Sequence, residues 1–139
     1  AGKNISAGMT FELKNTYCQL VINERKIISI EHAGANPNFN TNPVYIDMRI
    51  ESYISAPIWV TEKVWGTLNF SSNQIREICF SEDDHEFISL MADGIGSLVE
   101  MTLLNIEKER VISELSKNND ILESIFENST IGMALVSPS

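Results

Sequence analysis

Two thiols, two imidazoles and a run of carboxylates are the side chains here whose chemistry reaches beyond packing. Cys18 and Cys79 stand far apart with no Cys-x-x-Cys spacing. A disulfide framework is therefore not expected, and ordinary reduced thiols in a cytoplasmic chain are. A single bridge between them is the alternative. Redox or nucleophilic use would need a thiolate, and no Lys, Arg or His is placed by sequence to favour one, although Arg76 lies three residues before Cys79. His32 follows Glu31 at a strand end. With no second His or Cys at ligand spacing it reads as a surface or pocket-rim residue, not a metal ligand. His85 falls in the first turn of a helix, where the dipole disfavours its protonated form, and it is expected in solvent. Between Glu77 and Glu107 stand eight acids and no Lys or Arg. Glu82, Asp83, Asp84 and Glu86 share one helix turn but point in different directions and lack calcium-loop spacing. A solvated outer face is expected there, not a divalent-cation site.

The set best suited to holding a small molecule comes from a pair of strands. Residues 52–60 and 64–71 alternate apolar and polar types around Thr61-Glu62-Lys63. A three-residue loop places Ile54, Ala56, Ile58, Val60, Val64, Gly66, Leu68 and Phe70 on one face. Tyr53, Ser55, Pro57, Trp59, Trp65, Thr67, Asn69 and Ser71 then share the other. A two-residue loop at Thr61-Glu62 would mix the sets, and Thr-Glu is poor chemistry for the primed turns that favour Gly and Asn. The segregated register is therefore expected. Tyr53, Ser55, Trp65, Thr67 and Asn69 mix apolar surface with a few donors and acceptors, which suits a concave ligand site. The same face could instead be closed by the loop and helix that precede it, with Tyr45 and Met48 filling it.

Other elements must position these strands. Tyr17, Leu20 and Val21 have helical spacing over about residues 15–24, and Lys26 to Glu31 is short and β-branched, as a buried strand is. Gly34 to Asn42 carries Gly, Pro and Asn in loop density, and Pro43 suits the first position of a helix capped by Asn42, bearing Tyr45, Ile46, Met48 and Arg49. Ser81-Glu82-Asp83-Asp84 opens a long helix, with Ser81 as cap, acids at the positive end of the dipole, and Phe87, Leu90, Met91, Ile95 and Leu98 as the expected inner stripe. Beyond it Met101, Leu104, Lys108, Val111, Leu115, Asn118, Leu122 and Ile125 follow a 3–4 repeat. This predicts a short two-stranded coiled coil with Met101, Leu104, Val111, Leu115 and Leu122 at a homodimer interface, Lys108 and Asn118 setting register. An amphipathic helix lying back on its own domain is the alternative.

Composition bounds the functions available. The 139 residues amount to one domain at roughly 100–200 residues each, and 43% hydrophobic with 21% charged residues is enough to bury a core. The net charge of −9 makes nucleic acid and anionic membranes poor partners. No run of about 18 apolar residues and no signal-peptide pattern is seen, so neither a bilayer span nor direct membrane contact is expected.

Several segments resemble one family. Gly8-Met9-Thr10-Phe11-Glu12-Leu13 with Asn15-Thr16-Tyr17-Cys18, then Ser52 to Val60, then Gly66-Thr67-Leu68-Asn69-Phe70-Ser71-Ser72, and the closing Phe80-Ser81-Glu82-Asp83-Asp84 with Phe87-Ile88 resemble a GAF domain over about residues 1–104. The resemblance implies an α+β fold: an antiparallel sheet with helices packed on one face, a loop-covered pocket on the other, and a long C-terminal helix. It also implies a ligand-sensing or dimerising module of a signalling protein. The helix and strand that usually open such a domain are not in this sequence; without them the sheet would expose an edge able to pair with another chain. Ile121 to Ser129 followed by Ile131 to Val136 resembles the start of a PAS domain over 121–139, leaving 105–120 as a helical signalling linker. The order GAF, helix, PAS resembles that of bacterial sensor histidine kinases and cyclic-di-GMP enzymes.

The resemblance also narrows the ligands. Bilin-binding members use a cysteine upstream of the Tyr53 strand; here that region is Phe39-Asn40-Thr41-Asn42, and no cysteine lies between Cys18 and Pro57. No bilin or other cofactor is expected. Cyclic-nucleotide binders carry an Asn-Lys pair, then Phe, three residues and Asp-Glu; this chain has Phe80 and Asp84, but His85 in place of Glu and no Asn-Lys pair. His85-Glu86 superficially resembles a histidine-kinase phosphoacceptor box, but it continues Phe87-Ile88-Ser89 without the Thr or Asn before a Pro. The rival from another class is the one small enzyme of this fold, a thiol-dependent reductase of free methionine sulfoxide. In that case Cys18 or Cys79 would have to be reactive and face the pocket.

Overall fold

A computed structural model describes residues 5–127. The chain divides into two units, residues 1–100 and 101–139. In the first, a 3-10 turn at Leu13–Asn15 leads into α1 (Cys18–Glu24), β1 (Ile28–Ile30), a second 3-10 turn at Ala33–Ala35, α2 (Pro43–Met48), and the strands β2 (Ser52–Val60) and β3 (Lys63–Ser72). The helix α3 (Glu82–Glu127) begins there and continues into the second unit. The sheet is antiparallel in the order β1-β2-β3. This is an α+β, GAF-like architecture.

Local chemistry accounts for most element ends. Thr16 is extended and its hydroxyl donates to the Leu13 carbonyl at 2.8 Å, so α1 starts three residues after its predicted beginning. Asn42 accepts from the Val44 N–H at 3.0 Å ahead of Pro43, the expected cap and first position. Ser81 and Asp84 form a reciprocal box: the Ser81 hydroxyl accepts from the Asp84 N–H at 3.2 Å, and the Asp84 carboxylate accepts from the Ser81 N–H at 2.9 Å. The hydrogen bonds that the Asp84 carboxylate accepts from the Ser81 N–H and, at 3.1 Å, from the Ser81 hydroxyl, with Arg76 and His85 nearby, hold its carboxyl below the usual range against the opposing effect of burial.

The hairpin corrects the predicted loop. Its loop is two residues, Thr61-Glu62, with Val60 opposite Lys63 and Trp59 opposite Val64. Both loop residues have positive φ, 47° and 63°, as a twist-matched primed turn requires, despite their poor chemistry for it. A β-bulge beside Ile58 and Trp59 then leaves Trp65 as the extra residue, and Ile58 faces Gly66, Ala56 faces Leu68 and Ile54 faces Phe70. The expected segregation of faces thus holds from Ile58 inward, restored by the bulge; Val64 pairs with Trp59, outside the aliphatic set.

Each face of β2 has its own core. Ile54, Ala56 and Ile58 pack with Ile88 and Ala92 of α3, while Tyr53, with Tyr17, Val21, Ile30, Met48 and Ile50, forms a cluster on the other face. The long helix thus covers the aliphatic face, and the short α1 and α2 lie against the aromatic one, so helices stand on both faces of the sheet and not on one only.

The docking face of α3 differs from the predicted stripe. Ile88, Ala92 and Gly96 are buried, whereas Phe87, Leu90, Met91 and Leu98 are exposed, Phe87 at 63% and Leu98 at 65%. The two stripes are offset by one residue, about 100° around the helix. Apolar residues encircle this part of α3, so periodicity does not choose a face; close approach does. A Cβ on Gly96 would run into the Trp59 carbonyl. By length and composition α3 also holds one stretch able to cross a membrane, which no uninterrupted apolar run had suggested. Its Ile88, Ala92 and Gly96 are packed against the sheet as a core helix would be.

In the second unit every described residue, Met101 to Glu127, is exposed. There Arg110 pairs with Glu107 at 2.6 Å and Glu114 at 2.7 Å along the helix. Ile131 to Val136 lie outside the described residues.

Candidate functional site

The site is built where α1 meets the aromatic face of β2. Tyr17, just before α1, is 1% exposed, and its hydroxyl donates to the Ile50 carbonyl at 3.4 Å. Its ring meets those of Tyr53 and Phe39 edge-on, with centroids 5.2 and 5.6 Å away. Burial, with the Glu51 carboxylate and Tyr45 nearby, pushes the Tyr17 phenol up to about 12. Burial raises the Tyr53 phenol as well, helped by its bond to Cys18. The Cys18 sulfur lies 3.4 Å from the Tyr53 hydroxyl and accepts a long contact from the Asn69 amide at 3.8 Å.

These groups wall one side of a cavity of about 170 Å³. Val44 and Met48 of α2 with Ile50 form a second side, and Ile5, Phe11 and Thr16 of the N-terminal segment a third. Asn69 and Ser71 supply its edge on β3. Among the described residues that line it there is no Asp, Glu, Lys, Arg or His.

Of the predicted pocket residues, Met48, Tyr53 and Asn69 line this cavity, and the other four stand elsewhere. Tyr45 donates through its hydroxyl to Glu51 Oε1 at 2.8 Å and carries the Arg49 guanidinium over its ring. Ser55 is fully buried, its hydroxyl without a hydrogen-bond partner. Trp65, the bulged residue, is 58% exposed, and Thr67 sits opposite Pro57 toward the hairpin end. Tyr17, Cys18, Ile50 and the N-terminal side chains were not anticipated as pocket walls. Helical spacing and a lone thiol do not mark Tyr17 and Cys18 as neighbours of Tyr53; only the tertiary fold brings them there.

A second polar cluster locks the Asn-rich loop. Glu51 accepts from the Gly34 N–H at 3.0 Å and the Tyr45 hydroxyl, with His32 Nε2 at 3.8 Å. Burial alone would raise the Glu51 carboxyl. The Gly34 and Tyr45 hydrogen bonds and the charges of His32 and Arg49 outweigh it and bring the carboxyl below the usual range. A Cβ on Gly34 would meet the Tyr45 hydroxyl, so a larger residue there would push that side-chain end away from Glu51.

Both cysteines are free, Cys79 exposed and Cys18 half-buried. His85 is not solvated as expected: it is half-buried, with Nε2 3.1 Å from the Ser29 hydroxyl, because α3 docks beside β1. Among the described residues no three His, Cys, Asp or Glu side chains converge as a metal set.

Solved structures with this fold come from several functional classes. A type II free methionine-R-sulfoxide reductase from Thermoplasma acidophilum aligns with a TM-score of 0.54 and 20% identity over 70% of this chain and 65% of that one. The GAF domain of an Acinetobacter phosphoenolpyruvate-protein phosphotransferase gives 0.55 and 18% over 72% and 56%. Residues 122 to 287 of a methyl-accepting chemotaxis protein give 0.55 and 22% over 70% and 63%. The chain thus spans less than two thirds of each of these structures, and at such identities the likeness is one of fold. Comparison with curated proteins yields no significant match. The sequence matches the GAF domain family over residues 3–99, and with the sheet, helices and pocket described above the chain belongs to that family.

Proposed function

We propose that this chain is a sensory or regulatory module of a signal-transduction protein, binding a small ligand and relaying the change through α3. The observation that carries this reading is the cavity between α1, α2 and the β2–β3 face, whose walls combine apolar side chains with the Cys18, Tyr53 and Asn69 polar groups. A ligand acts by its differential affinity for two arrangements of the protein. In this reading α3 packs against its mate in a cytoplasmic homodimer, through Met101, Leu104, Val111, Leu115 and Leu122, and shifts between two packings. The change passes to a PAS domain beginning near Ile121 and then to a histidine kinase or cyclic-di-GMP output. The module itself is not catalytic and binds neither nucleic acid nor membrane. Native mass spectrometry tests the reading: a dimer with added mass that vanishes on denaturation is expected, and a bare monomer would overturn it.

A second reading is favoured by one observation, the Cys18 sulfur in the pocket wall. A thiol reductase acting on free methionine sulfoxide would use it. Turnover of that substrate, lost on Cys18→Ser, would establish this reading; absence of turnover by the unmodified chain disposes of it.

A further inference from the structure

The pocket walls also constrain what can enter. We infer that the ligand is a small uncharged molecule, an apolar body about the size of one ring bearing a single hydrogen-bonding group; this rests on the reading of the cavity as a ligand site.

Size comes first. At about 170 Å³ the cavity is close in volume to an engineered apolar cavity of about 150 Å³ that admits benzene, but it opens to solvent past Ile5, Phe11, Asn69 and Ser71, which are exposed. A tetrapyrrole is far larger than this space. Charge comes second. A carboxylate, phosphate or ammonium group brought against these walls gives up part of its water and needs an opposite charge or several donors in return. None of the described lining residues is ionic. Of the nearby carboxylates, Glu51 is already engaged by the Gly34 N–H and the Tyr45 hydroxyl and does not line the cavity, and Glu12 and Asp47 line an adjoining hollow beyond the shared Phe11, Thr16, Val44 and Met48 walls. The raised Tyr17 phenol reports the same low-polarity surroundings.

The polar anchor follows from what is already spent. The Tyr17 hydroxyl serves the Ile50 carbonyl, and the Tyr53 hydroxyl meets the Cys18 sulfur. The Asn69 amide makes a long contact to sulfur at 3.8 Å, which a ligand oxygen at ordinary distance would improve upon. Phe11, Val44, Met48 and Ile50 then offer apolar walls to the body. A zwitterionic amino acid fits poorly, since both its charges would lack partners, so the inference also separates the sensory reading from the reductase reading.

The experiment is a titration of the full chain, labelled with methyl-carbon-13 methionine, following the Met48 methyl resonance assigned with Met48→Leu. Phenol serves as the neutral probe and L-methionine as the zwitterionic one. A saturable Met48 shift with phenol is expected, with L-methionine binding at least tenfold more weakly. Asn69→Ala should weaken phenol several-fold, and Val44→Phe, by filling the space, about tenfold. Circular dichroism confirms that each variant is folded, and Asn69→Ala alone suffices if Val44→Phe is not. Binding of L-methionine as tight as phenol overturns the ligand class and leaves the pocket standing. Silence of Met48 toward both probes overturns the pocket reading itself. Phenol binding unchanged by the folded variants places the probe outside this cavity and overturns the inference.

Discussion

Tyr17 carries a phenol into the core with one long hydrogen bond to the Ile50 carbonyl, and its acidity records that burial. In the unfolded chain it ionises near pH 10; in the folded chain it resists until about 12. Because the folded value is raised, the stability at stake is fully present below about pH 10 and is lost as pH rises toward 12. Tyr17→Phe is expected to make the alkaline side of a Tm-against-pH curve shallower, with Tyr53 supplying the remaining slope. Glu51 gives the opposite sign. Its carboxyl is lowered, so its contribution is complete above the unfolded value of about 4.3 and is lost as pH falls through the folded one. Glu51→Gln should flatten the acid limb of the same curve, and an unchanged limb would remove the Gly34–Glu51–Tyr45 cluster from the account of loop stability. Glu51 was not singled out in the sequence. A carboxylate between Ile50 and Ser52 has nothing to mark it until Gly34 and Tyr45 fold back onto it.

At the scale of elements, α3 shows two effects of opposite sign at two glycines. Gly94 has open space around it, so Gly94→Ala is expected to stabilise by up to about 1 kcal/mol through helix propensity. The same gain at Gly96 is outweighed, because the added methyl meets the Trp59 backbone carbonyl, which cannot swing aside. Gly96→Ala is expected to cost about 1–3 kcal/mol net by overpacking. Urea melts of the pair check both; equal midpoints would mean that α3 does not dock through this face. The hairpin offers a similar test. Thr61 and Glu62 hold left-handed backbone that costs about 1–2 kcal/mol per non-glycine residue. Thr61→Asn with Glu62→Gly should therefore raise Tm without altering the bulge at Trp65.

For the molecule as a whole, the prediction concerns association. Serine at Leu104, Val111 and Leu115 together should dissociate a dimer built on the 3–4 repeat, read by sedimentation velocity at constant concentration; unchanged self-association would take that helix out of the interface. The domain upstream of Glu100 should keep its melting behaviour in the same variant, since its two cores are formed by other residues.

Alternation in residues 52–60 and 66–71, the Asn42-Pro43 start, the Ser81–Asp84 box and the GAF-like segments were all legible in the sequence. Each depends on neighbours a few positions away or on a period of two, which local order preserves. The loop length of the hairpin, the inner face of α3, the partner of His85 and the membership of the pocket were decided by tertiary structure. Strand twist imposed a two-residue turn on Thr-Glu, and a bulge at Trp65 absorbed the resulting slip. Contact with the Trp59 backbone selected Gly96 over larger apolar neighbours. The N-terminal segment, crossing the aromatic face, brought Phe11, Tyr17 and Cys18 to Tyr53, a meeting between residues 35 to 42 positions apart that no local pattern encodes.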